Sequence, residues 1–193
     1  MIKEWNTERM KHMSEHITTA NKVYFKPLEP EKDKILIEDI AHALSLMTRA
    51  NGHFPEFYSV GQHCIGCYKE AVARGLGERI AFICLLHDAS EAYIADVTRP
   101  VKKELKEYLV IEKRLQDAIY ERFLGSLPTE AELEKVSEID DAMLYHEFYH
   151  YMGERVMDSA TGLLTKPDFY ERPFREVEEE YLGIYEKMMK KNL

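Results

Sequence analysis

Ile80 to Leu86 reads IAFICLL, seven residues without a charged, amide or hydroxyl side chain, and within the next ten come His87, Asp88, Glu91 and Asp96. A helix that is apolar on every side belongs in a core. The segment therefore fixes a buried helix at the centre of the fold and delivers an imidazole and carboxylates to its end. Residues three and four apart share a helix face, so His87 and Asp88 both come within reach of Glu91. Charges in such a place must be hydrogen-bonded, paired or bound to a cation, because bare burial is expensive. Imidazole with carboxylate suits Mn, Fe, Co, Ni or Zn. One His and one Asp leave a coordination sphere unfilled, so further ligands are expected from other helices.

The remaining pattern predicts an all-α fold. The segment after Trp5 to about Asn21 reads as a loosely attached polar helix. Val23 and Phe25, then Ile35 and Ile37, with Pro27 and Pro30 between, predict two very short strands within residues 23–37. A helix runs through IAHALSLMTR, with Ile40, Ala43, Leu44 and Met47 on one face, followed by a loop at NGHFPEFY. Ser59 is placed to cap the next helix, which Gly75 closes. The apolar helix is expected from about Glu78 to Ala95, and another from Val101 to Gly125. A Thr129-x-x-Glu132 capping box opens a helix that ends near Gly153, and Pro173 starts a final acidic helix to about residue 191. The expectation is one domain over residues 1–193, its core at about 23–152.

No apolar run approaches the roughly 20 residues needed to span a bilayer. The N-terminus MIKEWNTERMKHMSEH has the character of neither a signal nor a transit peptide, and three cysteines are too few for a disulfide scaffold. These features predict a cytoplasmic protein. A net charge of −9 argues against a nucleic-acid polymer as partner, since phosphate backbones require a basic face. A small phosphorylated substrate is compatible, because a bound metal inverts the local charge.

Two residues are candidates for the missing ligands. His63 lies one turn into the helix opened by Ser59, and Asp140 sits beside the apolar stripe of VSEIDDAML. Helical bundles build metal sites from facing helices in this way. The order His63, His87-Asp88, Asp140, together with YSVGQHC and HDASEAYIADVTRPVK, resembles the HD superfamily of metal-dependent phosphohydrolases. The likeness is to a bacterial and phage group related to the HD-domain 5′-nucleotidases, and covers roughly Val23 to Met152. It implies an HD-type helical bundle in which His63, His87, Asp88 and Asp140 bind one divalent ion (Mn, Co, Fe, Ni, Zn or Mg). It further implies that Glu91 and Asp96 act beside the ion, that Arg49 reaches the phosphate of a nucleotide substrate, and that the protein forms a homodimer. Glu91 is placed to orient or deprotonate water, and Asp96 to serve the leaving group or a substrate hydroxyl. The deoxynucleotidases follow that Arg with Trp, where this chain has Ala50; Gly61 and Cys64 stand where the group has Ala and Ser.

Rival readings attach to the same residues. HEFYH, His146 to His150, satisfies H-E-x-x-H, the zinc-peptidase signature, although Val156 stands where a metzincin has its third His. The same stretch reads equally as an aromatic packing helix. A non-catalytic, metal-stabilised binding module is a further alternative. Asp141 is the neighbour that would replace Asp140 on a one-residue shift of face. Cys64 and Cys67 read as small core residues, and His12 and His16 as solvent-facing. His53 either lines the substrate mouth or serves the loop, and Lys102, with Lys103, either helps bind phosphate or solvates a first turn.

Overall fold

A computed structural model describes residues 15–158 and 161–191. Trp5 and His12 lie outside the described residues, as does most of the predicted N-terminal helix. The fold is all-α with one small hairpin: β1 (Ile17–Thr18), β2 (Tyr24–Phe25), α1 (Ile37–Leu46), α2 (Val60–Ala73), α3 (Glu78–Leu86), α4 (Glu91–Ile94), α5 (Arg99–Lys102), α6 (Lys106–Leu124), α7 (Glu130–Met152) and α8 (Phe174–Lys190). Short 3-10 turns occupy Lys32–Lys34 and Arg49–Gly52.

The hairpin corrects two expectations. Its strands pair antiparallel with Ile17 opposite Phe25 and Thr18 opposite Tyr24, so residues 17–18 are strand rather than helix. Ile35 and Ile37 are not the second strand: Ile35 leaves a 3-10 turn and Ile37 opens α1. Both are buried, so their alternation records two inward-facing residues at a junction rather than an extended run.

The apolar helix is the centre of the molecule. Ala81 through Leu86 are all inaccessible to solvent. α2 packs along α3, α7 crosses both, and α8 closes over α1, α2 and α3. Close approach of α2 to its neighbours is possible because residue 61 is Gly. A Cβ there would lie 3.1 Å from Val177 Cγ1 and 3.2 Å from the backbone nitrogen of Ser45. α2 begins with the expected cap: Ser59 Oγ accepts from the Gln62 amide at 3.1 Å while Gln62 Oε1 accepts from the Ser59 amide at 3.3 Å. Thr129 and Glu132 make the same reciprocal box on α7, and Gly153 ends that helix at φ +68°.

α3 does not continue to Ala95. It stops at Leu86, turns through residues 87–90 and resumes only as the single turn α4. No glycine stops it. Instead, the carbonyls released at its end are taken by side chains. The Cys84 carbonyl accepts from His87 Nδ1 at 2.7 Å, that of Leu85 from the Tyr181 hydroxyl at 2.8 Å, and that of Leu86 from Gln116 Nε2 at 2.7 Å. Gln116 Oε1 also accepts from the Ser90 amide. α6 and α8 thus hold open the turn that carries His87 and Asp88. The helix expected from Val101 to Gly125 likewise divides, into α5 and α6, with Leu105 between them.

The loop before α8 is held by one carboxylate. Glu70, fully buried on α2, accepts from the amides of Leu164 and Thr165, from Thr165 Oγ1 at 2.7 Å and from Arg74 Nε at 2.8 Å. Burial would raise its pKa, but these donors hold it down at about 2.

Candidate metal centre

Two helices and one turn bring the predicted ligands to one place. His63 comes from the first turn of α2, His87 and Asp88 from the turn after α3, and Asp140 from the middle of α7. His63 Nε2 lies 3.1 Å from Asp140 Oδ1, 3.3 Å from His87 Nε2 and 3.8 Å from Asp88 Oδ2. His87 Nε2 lies 3.3 Å from Asp88 Oδ2 and 3.8 Å from Asp140 Oδ1. Donors around an ion with bonds of about 2.1 Å stand about 3 to 3.5 Å apart, and these distances are close to that.

The tautomers are fixed from behind. His63 Nδ1 lies 2.6 Å from Glu147 Oε1, in a fully buried pair. Glu147 only accepts when ionised, so Nδ1 carries the hydrogen. His87 Nδ1 donates to the carbonyl of Cys84. Both imidazoles therefore turn an Nε2 lone pair towards the same point, as metal-bound histidines do when their second nitrogen is held by a carboxylate or carbonyl. Two facing lone pairs at 3.3 Å repel unless a cation or proton lies between them.

The electrostatics agree. Burial and the Arg49 charge both oppose charging His63, yet Cys67, Glu147 and Asp140 hold its pKa well above the ordinary imidazole range. Burial also opposes charging His87, and Asp88 and Asp140 outweigh it. Burial would raise Asp140, but the two histidines pull it well below the carboxylate range. The cluster is a site of negative potential that takes up positive charge.

Asp140 is the carboxylate that faces the histidines. Asp141 faces outward and accepts from Arg99 Nη1 at 2.7 Å, while Arg99 Nη2 donates to Asp140 Oδ2 at 2.7 Å. Arg49 is buried, 3.6 Å from Asp88 Oδ2 and 3.3 Å from Glu147 Oε2. It is held there because the Arg49 amide donates to the Tyr58 carbonyl and the Val60 amide to that of Met47, which ties its turn to the start of α2. Ala50 and Asn51 follow at φ +52° and +51°, a left-handed backbone that costs an alanine about 1 kcal/mol.

Beside the cluster opens a cavity of about 440 Å³, lined by Arg49, Asp88, Glu91, Asp96, Arg99, Lys102 and Asp140, with Leu144, Phe148, Val156 and Met157 among the apolar walls. Glu91 is 4% exposed and its Oε2 has no hydrogen-bond partner. Burial, with Asp88 and Asp96 nearby, pushes its carboxyl up to about 9. Asp96 lines the same cavity, and Lys102 does so while paired with Glu112. His53 is not brought to the site: it is exposed directly after the Arg49–Gly52 turn and does not line the cavity.

Of the H-E-x-x-H residues, Glu147 is committed to His63 and Arg49. His150 packs its ring against Tyr151 and Phe169. The aromatic helix is a packing surface whose one buried carboxylate supports the centre from behind. The sequence signal for Glu147 was its position two turns after Asp140. For Arg99 and the apolar wall there was no such signal.

Two side-chain groups place ligand atoms within 4.8 Å of one another and could hold a metal ion: His63, Cys67 and His87, and Cys64, His87 and Asp88. Among the described residues no helix is long and apolar enough to cross a membrane.

No family model matches the chain. It is similar to two curated bacterial proteins. The protein YfdR of Escherichia coli (strain K12) is 39% identical over 92 residues, 48% of this chain and 49% of that protein. RCAP_rcc00048 of Rhodobacter capsulatus is 40% identical over 102 residues, 50% of this chain and 52% of that protein. Both carry the description "uncharacterized protein", and the chain spans about half the length of these relatives.

Proposed function

We propose that this chain is an HD-type metal-dependent phosphohydrolase that binds one divalent ion through His63, His87, Asp88 and Asp140 and hydrolyses the phosphomonoester of a nucleotide. The observation that carries the reading is the convergence of two imidazole Nε2 atoms and two carboxylate oxygens, with both Nδ1 atoms already committed behind them. The cavity of about 440 Å³ at their side has the size of a small-molecule site. Three buried-type free thiols, unpaired in any disulfide, go with a reducing cytoplasm.

When bound, such an ion supplies Lewis-acid polarisation of the phosphoryl oxygen and lowers the pKa of water. The chain's own residues do the rest. Glu91, with an unpartnered oxygen at the cavity wall, is placed to accept the proton of the attacking water; a cation bound beside it would offset the burial and the Asp88 and Asp96 charges that keep its carboxyl protonated in the metal-free protein. The same proton can then pass to the departing alkoxide, so that water adds one OH to phosphorus and one H to the leaving sugar. Asp96, further along the wall, contacts the sugar end of the substrate. Arg49 neutralises the transferring phosphoryl group while its second partner, Glu147, keeps it in place. The apolar wall of Leu144, Phe148 and Met157 offers a surface for a base.

The test is phosphate release from a panel of nucleotides with Mn²⁺, Co²⁺, Zn²⁺ and Mg²⁺. Release that depends on metal and is lost in Asp88→Ala supports the reading. No release with any metal, or peptidase activity that survives Asp88→Ala, overturns it.

A further inference from the structure

The four-donor centre leaves two buried thiols unexplained. Cys67 stands one turn after His63 on α2, 1% exposed, with Sγ 3.6 Å from His63 Nε2. Its ligand atom lies within 4.8 Å of those of His63 and His87, and that of Cys64 equally close to those of His87 and Asp88. We infer that Cys67 is a sulfur donor of this centre and that the site selects a borderline-soft divalent cation, Zn²⁺ above Mn²⁺ or Mg²⁺.

The inference rests on the metal centre proposed above and concerns which ion it takes. The two carboxylates lie on the cavity side, Asp88 at 19% and Asp140 at 22% side-chain exposure, and both line the cavity. Cys67 is enclosed, 1% exposed, and lines no part of it. The imidazoles belong to both sets. An ion between them therefore meets hard oxygen donors towards substrate and a soft donor towards the core. Thiolate favours zinc, and carboxylate with water favours Mg²⁺ and Mn²⁺. A sulfur donor on the buried side leaves the cavity side open to water and phosphate, as an open catalytic site requires. Cys67 is preferred to Cys64 because its set contains both histidines. On coordination the S–H proton leaves to the buffer as the sulfur–metal bond forms, so zinc uptake releases one more proton than uptake by the oxygen and nitrogen donors alone.

The experiment uses the full chain, freed of metal and titrated with Co²⁺ while the absorption spectrum is recorded. A near-ultraviolet thiolate-to-cobalt charge-transfer band is expected in the wild type and in Cys84→Ala. It is expected to vanish in Cys67→Ser, with zinc affinity falling about tenfold or more and Mn²⁺ affinity held. Cys84 serves as the control because it is a core thiol, pushed up to about 12 by burial, whose link to His87 runs through its carbonyl. X-ray absorption of the zinc-loaded wild type needs no variant: a sulfur neighbour at about 2.3 Å supports the inference. Cobalt bound with ligand-field bands but no charge-transfer band overturns the sulfur donor alone. A band that survives Cys67→Ser and is lost in Cys64→Ser overturns the choice of Cys67. Failure to bind cobalt at all overturns both the donor and the metal centre.

Discussion

Replacing Glu91 by Gln separates stability from activity. In the metal-free protein the Glu91 carboxyl is 4% exposed, has one oxygen without a partner, and is pushed up to about 9 by burial and by Asp88 and Asp96. A carboxyl whose pKa is raised on folding gives its full contribution below about pH 4.5, and loses it progressively as pH rises from there to about 9. At pH 7 the loss spans about 2.5 pKa units, or about 3 kcal/mol at 1.36 kcal/mol per unit; water entry and local relaxation reduce this to about 2 kcal/mol. Gln is nearly isosteric and never ionises, so Glu91→Gln removes that loss. In chelator, its Tm should exceed the wild type's by about 4–8 °C at pH 7. The gap should shrink towards pH 5 and widen towards pH 8. The same variant, loaded with metal, should lose phosphate release by about a hundredfold or more, because no base remains for the water. A Tm that is unchanged or lower in Glu91→Gln between pH 6 and 8 refutes the assignment of Glu91 as a buried, destabilised carboxyl.

Other substitutions probe the support around the centre. Glu147→Gln keeps an acceptor for His63 Nδ1 but removes the charge shared with Arg49, so metal affinity should drop about 10- to 100-fold in a chelator competition; an unchanged affinity contradicts its role behind His63. Arg49→Lys removes the guanidinium that spans Asp88 and Glu147, and should lower kcat more than metal affinity; equal loss of both argues for a purely structural Arg49. Glu70 tests the fold away from the site. Its pKa is held at about 2, so its stabilisation is present above about pH 4.5 and lost as pH falls towards 2. Glu70→Gln should therefore cost about 2–3 kcal/mol in urea unfolding at pH 7 and little at pH 2, and a pH-independent difference would refute it.

The grouping of the candidate residues was more legible than the chain path that brings them together. Residue type and spacing marked His87-Asp88, at the end of an apolar run, and His63, one turn after a Ser59 cap, as candidates, and the resemblance grouped them with Asp140. The helix breaks were not legible. Ile80 to Ala95 has unbroken helical periodicity, and only Tyr181 and Gln116, distant in sequence, make it favourable to release the carbonyls at Leu85 and Leu86. The strand expected at Ile35 and Ile37 failed for a related reason, since two buried residues in alternation do not distinguish a strand from the entry to a helix. Arg99 shows the same limit. Nothing near TRPVK announces a guanidinium that bridges Asp140 and Asp141, because its partners lie 41 and 42 residues away. His53 was offered as a residue of the loop NGHF, either at the substrate mouth or serving the loop; it follows the left-handed turn at Ala50 and Asn51 and stands outside the cavity.

His63, His87, Asp88 and Asp140 are proposed to form one cation site. Equilibrium dialysis of Mn²⁺ against wild type, Asp140→Asn and Asp141→Asn tests it most directly. One ion per chain is expected for wild type and for Asp141→Asn, whose carboxylate faces Arg99 and solvent, and loss of binding in Asp140→Asn. Equal binding by Asp140→Asn and wild type would contradict it.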